Sequence, residues 1–205
     1  MIRRGFRIVI VVFLGGIVLF PPVGLTGSQN INTYHYRPQI DSSRFKDGDV
    51  ILRGGTGVIS EIFASCSLRD RTFSHAGILI SSEKGWMVCH SIGGEAFGPG
   101  FVRLESLRSF CSAEVTDTVK VFRLSTSAHF SESMKAYCLF KCREKTPFDR
   151  NFDLSDTASM YCTEFVYMAY LNATSGVVSL PLTRFNGKEY VACDNIYINE
   201  YAEPL

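Results

Sequence analysis

From residue 46 onward the chain alternates short apolar runs with breaks marked by glycine, proline or charge. "KDGDVILRGG" reads as a turn, a short strand at Val50 to Arg53 and a glycine break. "TGVISEIFASCS" places apolar residues at 58, 59, 62 and 63, which is helical spacing. "FSHAGILI" and "GWMVCHSI" are apolar runs on either side of a polar tip, "SSEKG", and together they predict a β-hairpin. A glycine-rich loop (93–100), a short helix over "LESLRSFC" and a strand over "TVKVFRL" follow. "AHFSESMKAYCLFKCREK" predicts a helix ending near Lys145, because Pro147 disfavours its continuation. After the loop "FDRNFDLSD", the stretch "MYCTEFVYMAY" has the pattern of an amphipathic helix with a thiol near its start. Residues 173–205 show little periodicity and predict no element. The sum is one α+β domain: helices before, between and after a mostly antiparallel sheet.

The first residues follow a different pattern. "MIRRGFR" is a basic start, and "IVIVVFLGGIVLF" (8–20) is an uncharged apolar run ended by Pro21 and Pro22. It is shorter than the ~20 residues of a full membrane span and suits the core of a signal peptide. A short uncleaved anchor is the alternative, since no A-x-A-like cleavage site follows. Arg3-Arg4 followed by Phe6 hints at twin-arginine export. The expected organisation is therefore a signal peptide or short membrane anchor over 1–28, a polar linker over 29–46 and the domain over 47–205. The expected location is the periplasm, free or anchored facing it.

Composition narrows the chemistry. The chain has 205 residues, 46% hydrophobic and 20% charged, with a formal net charge of +1. That is enough for one well-buried core, and it leaves no electrostatic footprint for nucleic acid. No CxxC pair, HExxH motif or phosphate-cradling glycine loop is present. The seven cysteines are an odd number, so at least one has no partner within the chain. Cys66, Cys89, Cys111, Cys138, Cys142 and Cys193 leave several pairings open. Cys138 and Cys142, four apart on one helix face, read as core packing.

Two histidines draw attention through the hairpin. If residues 82–85 form its loop, Ser81 pairs with Trp86 and Gly77 falls opposite His90. His75 is then diagonal to His90 on the same face. If the loop is Ser82-Glu83, the two histidines are directly opposite. Either register puts both imidazoles on one sheet face, whereas a shift by one residue would separate them. A lone histidine at a strand end needs no function, but two of four converging on one face is harder to dismiss. His35 and His129 have no evident partner.

Cys162 lies in or near the first turn of its helix, with Asp156, Thr157 and Ser159 all suitable N-caps. Unpaired N–H groups and the helix dipole favour a thiolate there. The plain alternative is a small buried apolar residue, since Cys162 shares a face with Phe165, Val166 and Ala169. A thiol at a helix start, set against a sheet with two imidazoles, is what acyl chemistry at sulfur needs: a nucleophile, a proton shuttle and a group that fixes the shuttle's tautomer. The helix-start N–H can supply one oxyanion donor.

In order and approximate spacing, "GDVILR", "FSHAGILI", "VCHSIGG", "FVRLESL" and "TPFDRNFDLSD" running into "YCTEFVYMAY" resemble the YiiX/YebB-like hydrolases. These are permuted relatives of the NlpC cell-wall peptidases and share their arrangement with lecithin–retinol acyltransferase-like proteins. The resemblance covers about residues 47–171. It implies a permuted papain-like (NlpC-type) fold, with Cys162 as nucleophile, His75 as general base and acid, and His90 in the orienting position. Bacterial members tend to carry glutamate at that last position, so their substrates do not transfer. Asp149 matches a recurring aspartate, which either supports the loop before the cysteine helix or contacts substrate. The implied activity is an exported cysteine hydrolase that cleaves an amide or ester and needs no metal or cofactor. Cell-wall peptides are the expected substrate, with a lipid-directed acyl hydrolase or acyltransferase at the membrane surface as the alternative. From other classes, a His75, His90, Cys162 zinc set or a non-catalytic binding module stand as rivals.

Overall fold

The computed structural model describes residues 41–93, 99–125 and 130–205, with the backbone of two short paired strands, Val11–Phe13 and Gly16–Val18. The rest of the expected leader and most of the linker lie outside the described residues, as do His35 and His129. Among the described residues no helix is long and apolar enough to cross a membrane.

Continuous aliphatic runs build the centre of the sheet, where both faces are covered. β1 (Val50–Gly55) runs past the predicted glycine break, with a shift of register between Gly54 and Gly55. α1 (Val58–Ser65) follows, then the hairpin of β2 (His75–Ser82) and β3 (Gly85–Ile92). β4 (Phe101–Ser106), α2 (Leu107–Phe110) and β5 (Thr116–Leu124) complete the first half. α3 (Ser131–Arg143) and α4 (Cys162–Ala173) are the long helices. The stretch that predicted nothing holds β6 (Thr183–Phe185), β7 (Lys188–Tyr190), α5 (Cys193–Tyr197) and β8 (Ala202–Pro204). One antiparallel sheet of six strands has the order β8-β5-β1-β2-β3-β4, while β6 and β7 pair only with each other.

Strand alternation divides the core in two. On one face Val50, Leu52, Ala76, Ile78, Ile80 and Cys89 pack with Phe165, Val166, Ala169 and Tyr170 of α4, and with Met134 and Cys138 of α3. On the other, Ile51, Leu79, Val88 and Val121 pack with Phe45 and with Phe110 of α2. Each fully buried side chain of this kind contributes about 1.5–3 kcal/mol, so α4 is anchored along its whole apolar face.

The hairpin has the first of the two predicted registers. Ser81 pairs with Trp86 and Ile78 with Cys89. Ser82 also pairs with Gly85, so the turn proper is Glu83-Lys84. Gly85, at φ 100°, closes it in a region where other residues are strained. Continued along the ladder, that register sets Gly77 opposite His90. A Cβ on Gly77 would lie 2.4 Å from Val88 Cγ1 and 3.2 Å from His90 Cβ. Only glycine lets the two strands carry His90 at this separation.

Candidate active site

The strand parity brings the two histidines together. His75 Nε2 and His90 Nδ1 are 2.7 Å apart, with the rings nearly perpendicular at 80°. Both rings contact Phe110, at 5.7 Å and 5.3 Å between centroids, so the pair sits on the α2 face of the sheet. His90 is fully buried and His75 half-buried.

Two charged residues that were not singled out in the sequence complete this cluster. Glu105 on β4 places Oε2 3.1 Å from His90 Nε2. The approach is close, though the ring N–H does not aim squarely at the oxygen, so the contact is a polar approach and not a well-formed hydrogen bond. Ser109 Oγ donates to Glu105 Oε1 at 2.7 Å. Arg53 lies directly across from His75 in the β1–β2 ladder. Its guanidinium stacks 4.4 Å above the Phe110 ring and donates through Nη1 to Phe110 O at 2.8 Å. Neither residue could be picked out from local pattern. Arg53 meets His75 only through pairing across twenty-odd residues of chain, and Glu105 meets His90 across a long loop whose length does not fix a register.

Cys162 is the first residue of α4, and Tyr161 is the N-cap. Asp156 and Ser159 do not cap the helix, because they are bonded to each other and to Ala158 within the preceding loop. Glu164 takes the capping task by accepting from Tyr161 N at 3.1 Å. Asp149 supports that loop: buried, it accepts from Asn151 N and Asp153 N, both at 2.7 Å. The tail holds the helix start from the other side. Val191 N donates to Tyr161 Oη at 2.8 Å, and Thr163 Oγ1 donates to Val191 O at 2.6 Å.

α4 packs on the face opposite the imidazoles, so the thiol does not lie over the histidine pair. It meets their strand at its beginning. Backbone N–H groups of Ala76, Thr163 and Cys162 itself act on the sulfur, and Ala76 is the residue next to His75. Among the described residues no hydrogen bond joins Cys162 Sγ to an imidazole nitrogen. His75 Nδ1, however, is left unused by the bond to His90. Phe63, Phe152, Tyr161, Tyr190 and Val191 wall a narrow pocket around the sulfur.

Burial sets the resting charges. It pushes the Cys162 thiol up, against the pull of those N–H groups and of Arg53. His75 is held well below the ordinary imidazole value by burial, then by His90, Arg53 and Arg103. The thiolate expected from the helix start is therefore outweighed, and the resting pair is thiol and neutral imidazole. Glu105 stays ionised down to about 2, chiefly through His90.

The profile of the permuted papain-like amidases, the YaeF/YiiX or C92 family, matches residues 44–188. The chain belongs to this family. The sheet strands β1 to β5, α3 and α4 all fall inside the match, so the chain has the permuted papain-like fold and belongs with amide hydrolases in kind. The crystal structure of the metalloprotein YiiX from Escherichia coli O157:H7 has the same fold, with a TM-score of 0.62 at 16% identity, covering 78% of this chain and 96% of that one. No curated protein matches significantly. Residues 190–193, which wall the thiol pocket, lie beyond the family match.

A zinc set of His75, His90 and Cys162 does not fit this geometry. His75 Nε2 and His90 Nδ1 are bonded to each other and so are not available to a shared metal ion. Among the described residues no group of three or more His, Cys, Asp and Glu could hold a metal ion.

Proposed function

We propose that this family member hydrolyses an amide through an acyl-enzyme on Cys162, with His75 as base and acid and His90 orienting it. One observation carries the reading: His75 spends Nε2 on His90 and keeps Nδ1 free, on a strand whose next N–H acts on Cys162 Sγ. The sulfur attacks the acyl carbon while its proton goes to His75 Nδ1. Collapse of the tetrahedral species breaks the C–N bond, and the same proton leaves on the amine nitrogen. Water then attacks the thioester as His75 takes one of its protons, and the carboxylic acid departs as that proton returns to sulfur. The Cys162 N–H, at the helix start, supports the oxyanion.

The thiol pocket shares Phe152 with a groove of ≈ 820 Å³. Its rim carries Asp153 and Glu189 with Arg184 and Lys188, which suits a peptide bearing both charges. Cell-wall peptide in the periplasm is the substrate we favour. The groove floor of Leu154, Tyr167, Met168, Leu171 and Leu182 supports a second reading, a lipid amide at the membrane surface.

Peptide anilides and long-chain acyl anilides test the chemistry and distinguish the two substrates. The wild type should carry an acyl mass on the Cys162 peptide, and Cys162→Ala should lose both adduct and turnover. His75→Gln should slow acylation about 10²–10⁴-fold. Full turnover by Cys162→Ala would end this reading.

A further inference from the structure

We infer that Glu105 is a positioning residue that sets the tautomers of both imidazoles and so gives His75 a bare Nδ1. The inference deepens the hydrolase reading above and rests on it for its purpose, though not for its geometry. His90 is fully buried, and the group near its Nε2 is the Glu105 carboxylate at 3.1 Å. A carboxylate offers lone pairs only, so a bare Nε2 would set acceptor against acceptor in a dry site. Nε2 therefore carries the hydrogen, and neutral His90 has a bare Nδ1. That bare nitrogen is 2.7 Å from His75 Nε2, which must then be the donor. Neutral His75 is left with its lone pair on Nδ1, the form a general base needs.

The surroundings hold the cascade in this sense. Ser109 donates to the other oxygen of Glu105, and Ser109 N in turn donates to Ser106 Oγ at 3.1 Å, so the start of α2 fixes the carboxylate. Arg53 and Arg103 face the pair and disfavour a second proton on either ring. Arg53 is occupied by Phe110 O and does not draw Glu105 away. No proton has to travel along the chain of groups; Glu105 acts by deciding where the protons rest.

The test is read on the free protein. Long-range nitrogen–proton NMR correlations on labelled histidine should show His90 and His75 both as the Nε2–H tautomer at neutral pH. Glu105→Ala should shift His90 toward Nδ1–H or a mixture, with His75 following, and Glu105→Gln, whose amide oxygen still accepts, should shift it less. Ser109→Ala should do so more weakly, and Glu105→Asp should restore part of the pattern. In turnover, Glu105→Ala should lower kcat by about 10- to 100-fold at little change in KM. A wild-type His90 in the Nδ1–H form, or a Glu105→Ala spectrum like the wild type, overturns the assignment. The expected tautomers without amide turnover would instead sink the hydrolase reading and leave the assignment standing.

An independent observation concerns the cysteines whose pairing the sequence left open. The geometry points to Cys89 and Cys142 as a site of disulfide formation. All seven cysteines are free, and Cys89 Sγ lies 3.3 Å from Cys142 Sγ, linking β3 to the last turn of α3. A disulfide at ~2.05 Å requires an approach of little more than an ångström. Cys142 is half-buried and its thiol is lowered by the contact with Cys89, whereas burial pushes Cys89 up. With glutathione disulfide as oxidant, the Cys142 thiolate attacks one sulfur and releases a glutathione thiolate. Cys89 then attacks the mixed disulfide at Cys142 and releases the second. The two thiol protons end on the two glutathione molecules.

After exposure to glutathione disulfide, unfolding and alkylation, the joined Cys89 and Cys142 peptides should appear two hydrogens lighter, with neither sulfur alkylated. Cys89→Ser should stop at a glutathione adduct on Cys142. Full alkylation of both cysteines, or a stable adduct on Cys142 in the wild type, would refute the site.

Discussion

At the scale of single residues, the contest at Cys162 is between a helix start and burial. Dipole and N–H contributions at a helix N-terminus are worth ~0.3–1 kcal/mol at exposed sites, and removing a thiolate from water costs more. Alkylation of Cys162 by iodoacetamide should therefore stay slow through neutral pH and climb only above the ordinary thiol range. Labelling that is already fast near pH 6 would contradict the neutral pair. Cys66, pushed up to about 12 by burial, should remain slower still. His75 is depressed by burial, by His90 and by the two arginines, with Glu105 acting through His90 in the other direction. Because the base must be unprotonated, the acid limb of kcat/KM should fall well below pH 6.5. A limb at or above that value would show that the arginines and burial do not control it.

Among the elements, the hairpin was the most legible part of the site. Its alternation and short polar tip placed His75 and His90 on one face in either register, and the observed ladder chose the first. What the pattern did not convey was the face of the sheet that α4 would cover. Val50, Leu52, Ala76 and Ile78 are no more apolar than Ile51 and Leu79, so nothing local says which set meets the thiol helix. Glu105 stayed hidden because the loop before β4 gives no register and because "LESLRSFC" predicted a short helix where the end of β4 runs. The tail strands β6, β7 and β8 span three residues each, too few to show a period. The N-cap was misplaced because a glutamate inside the helix does the work expected of Asp156 or Ser159. Gly77 gives the hairpin its own test. Gly77→Ala would drive a methyl against Val88 and His90, costing about 1–3 kcal/mol of stability and loosening the histidine pair. Denaturant unfolding and the histidine spectra should change together, and an unchanged His75–His90 signature would detach the glycine from the pair.

For the molecule as a whole, the proposed site straddles the sheet at the start of β2. Both layers contribute: the α2 side supplies the imidazoles and their charges, and the α4 side supplies the thiol. The price of this arrangement includes buried acid at the helix start. Burial pushes Glu164 up to about 8, from an ordinary 4.5. The folded chain thus keeps a proton there that the unfolded chain gives up near 4.5, so this group lowers stability as pH rises from 4.5 to about 8. Glu164→Gln keeps an acceptor for Tyr161 N and has no charge to bury. Its stability should pull ahead of the wild type between pH 5 and 8.5, and parallel unfolding curves would show that Glu164 is not the source.

The order of the parts along the chain also governs when they exist. A ribosome delivers β2 and β3 first, and domains can begin to fold from the N-terminal side during synthesis. His75 and His90 can therefore pair before Cys162 has been made. The thiol then emerges ahead of Tyr190 and Val191, which wall its pocket and tie down the turn before α4. A nascent chain holds the histidine pair well before the thiol, and the thiol before a finished pocket. The pocket around the thiol is thus among the last features of the fold to be completed.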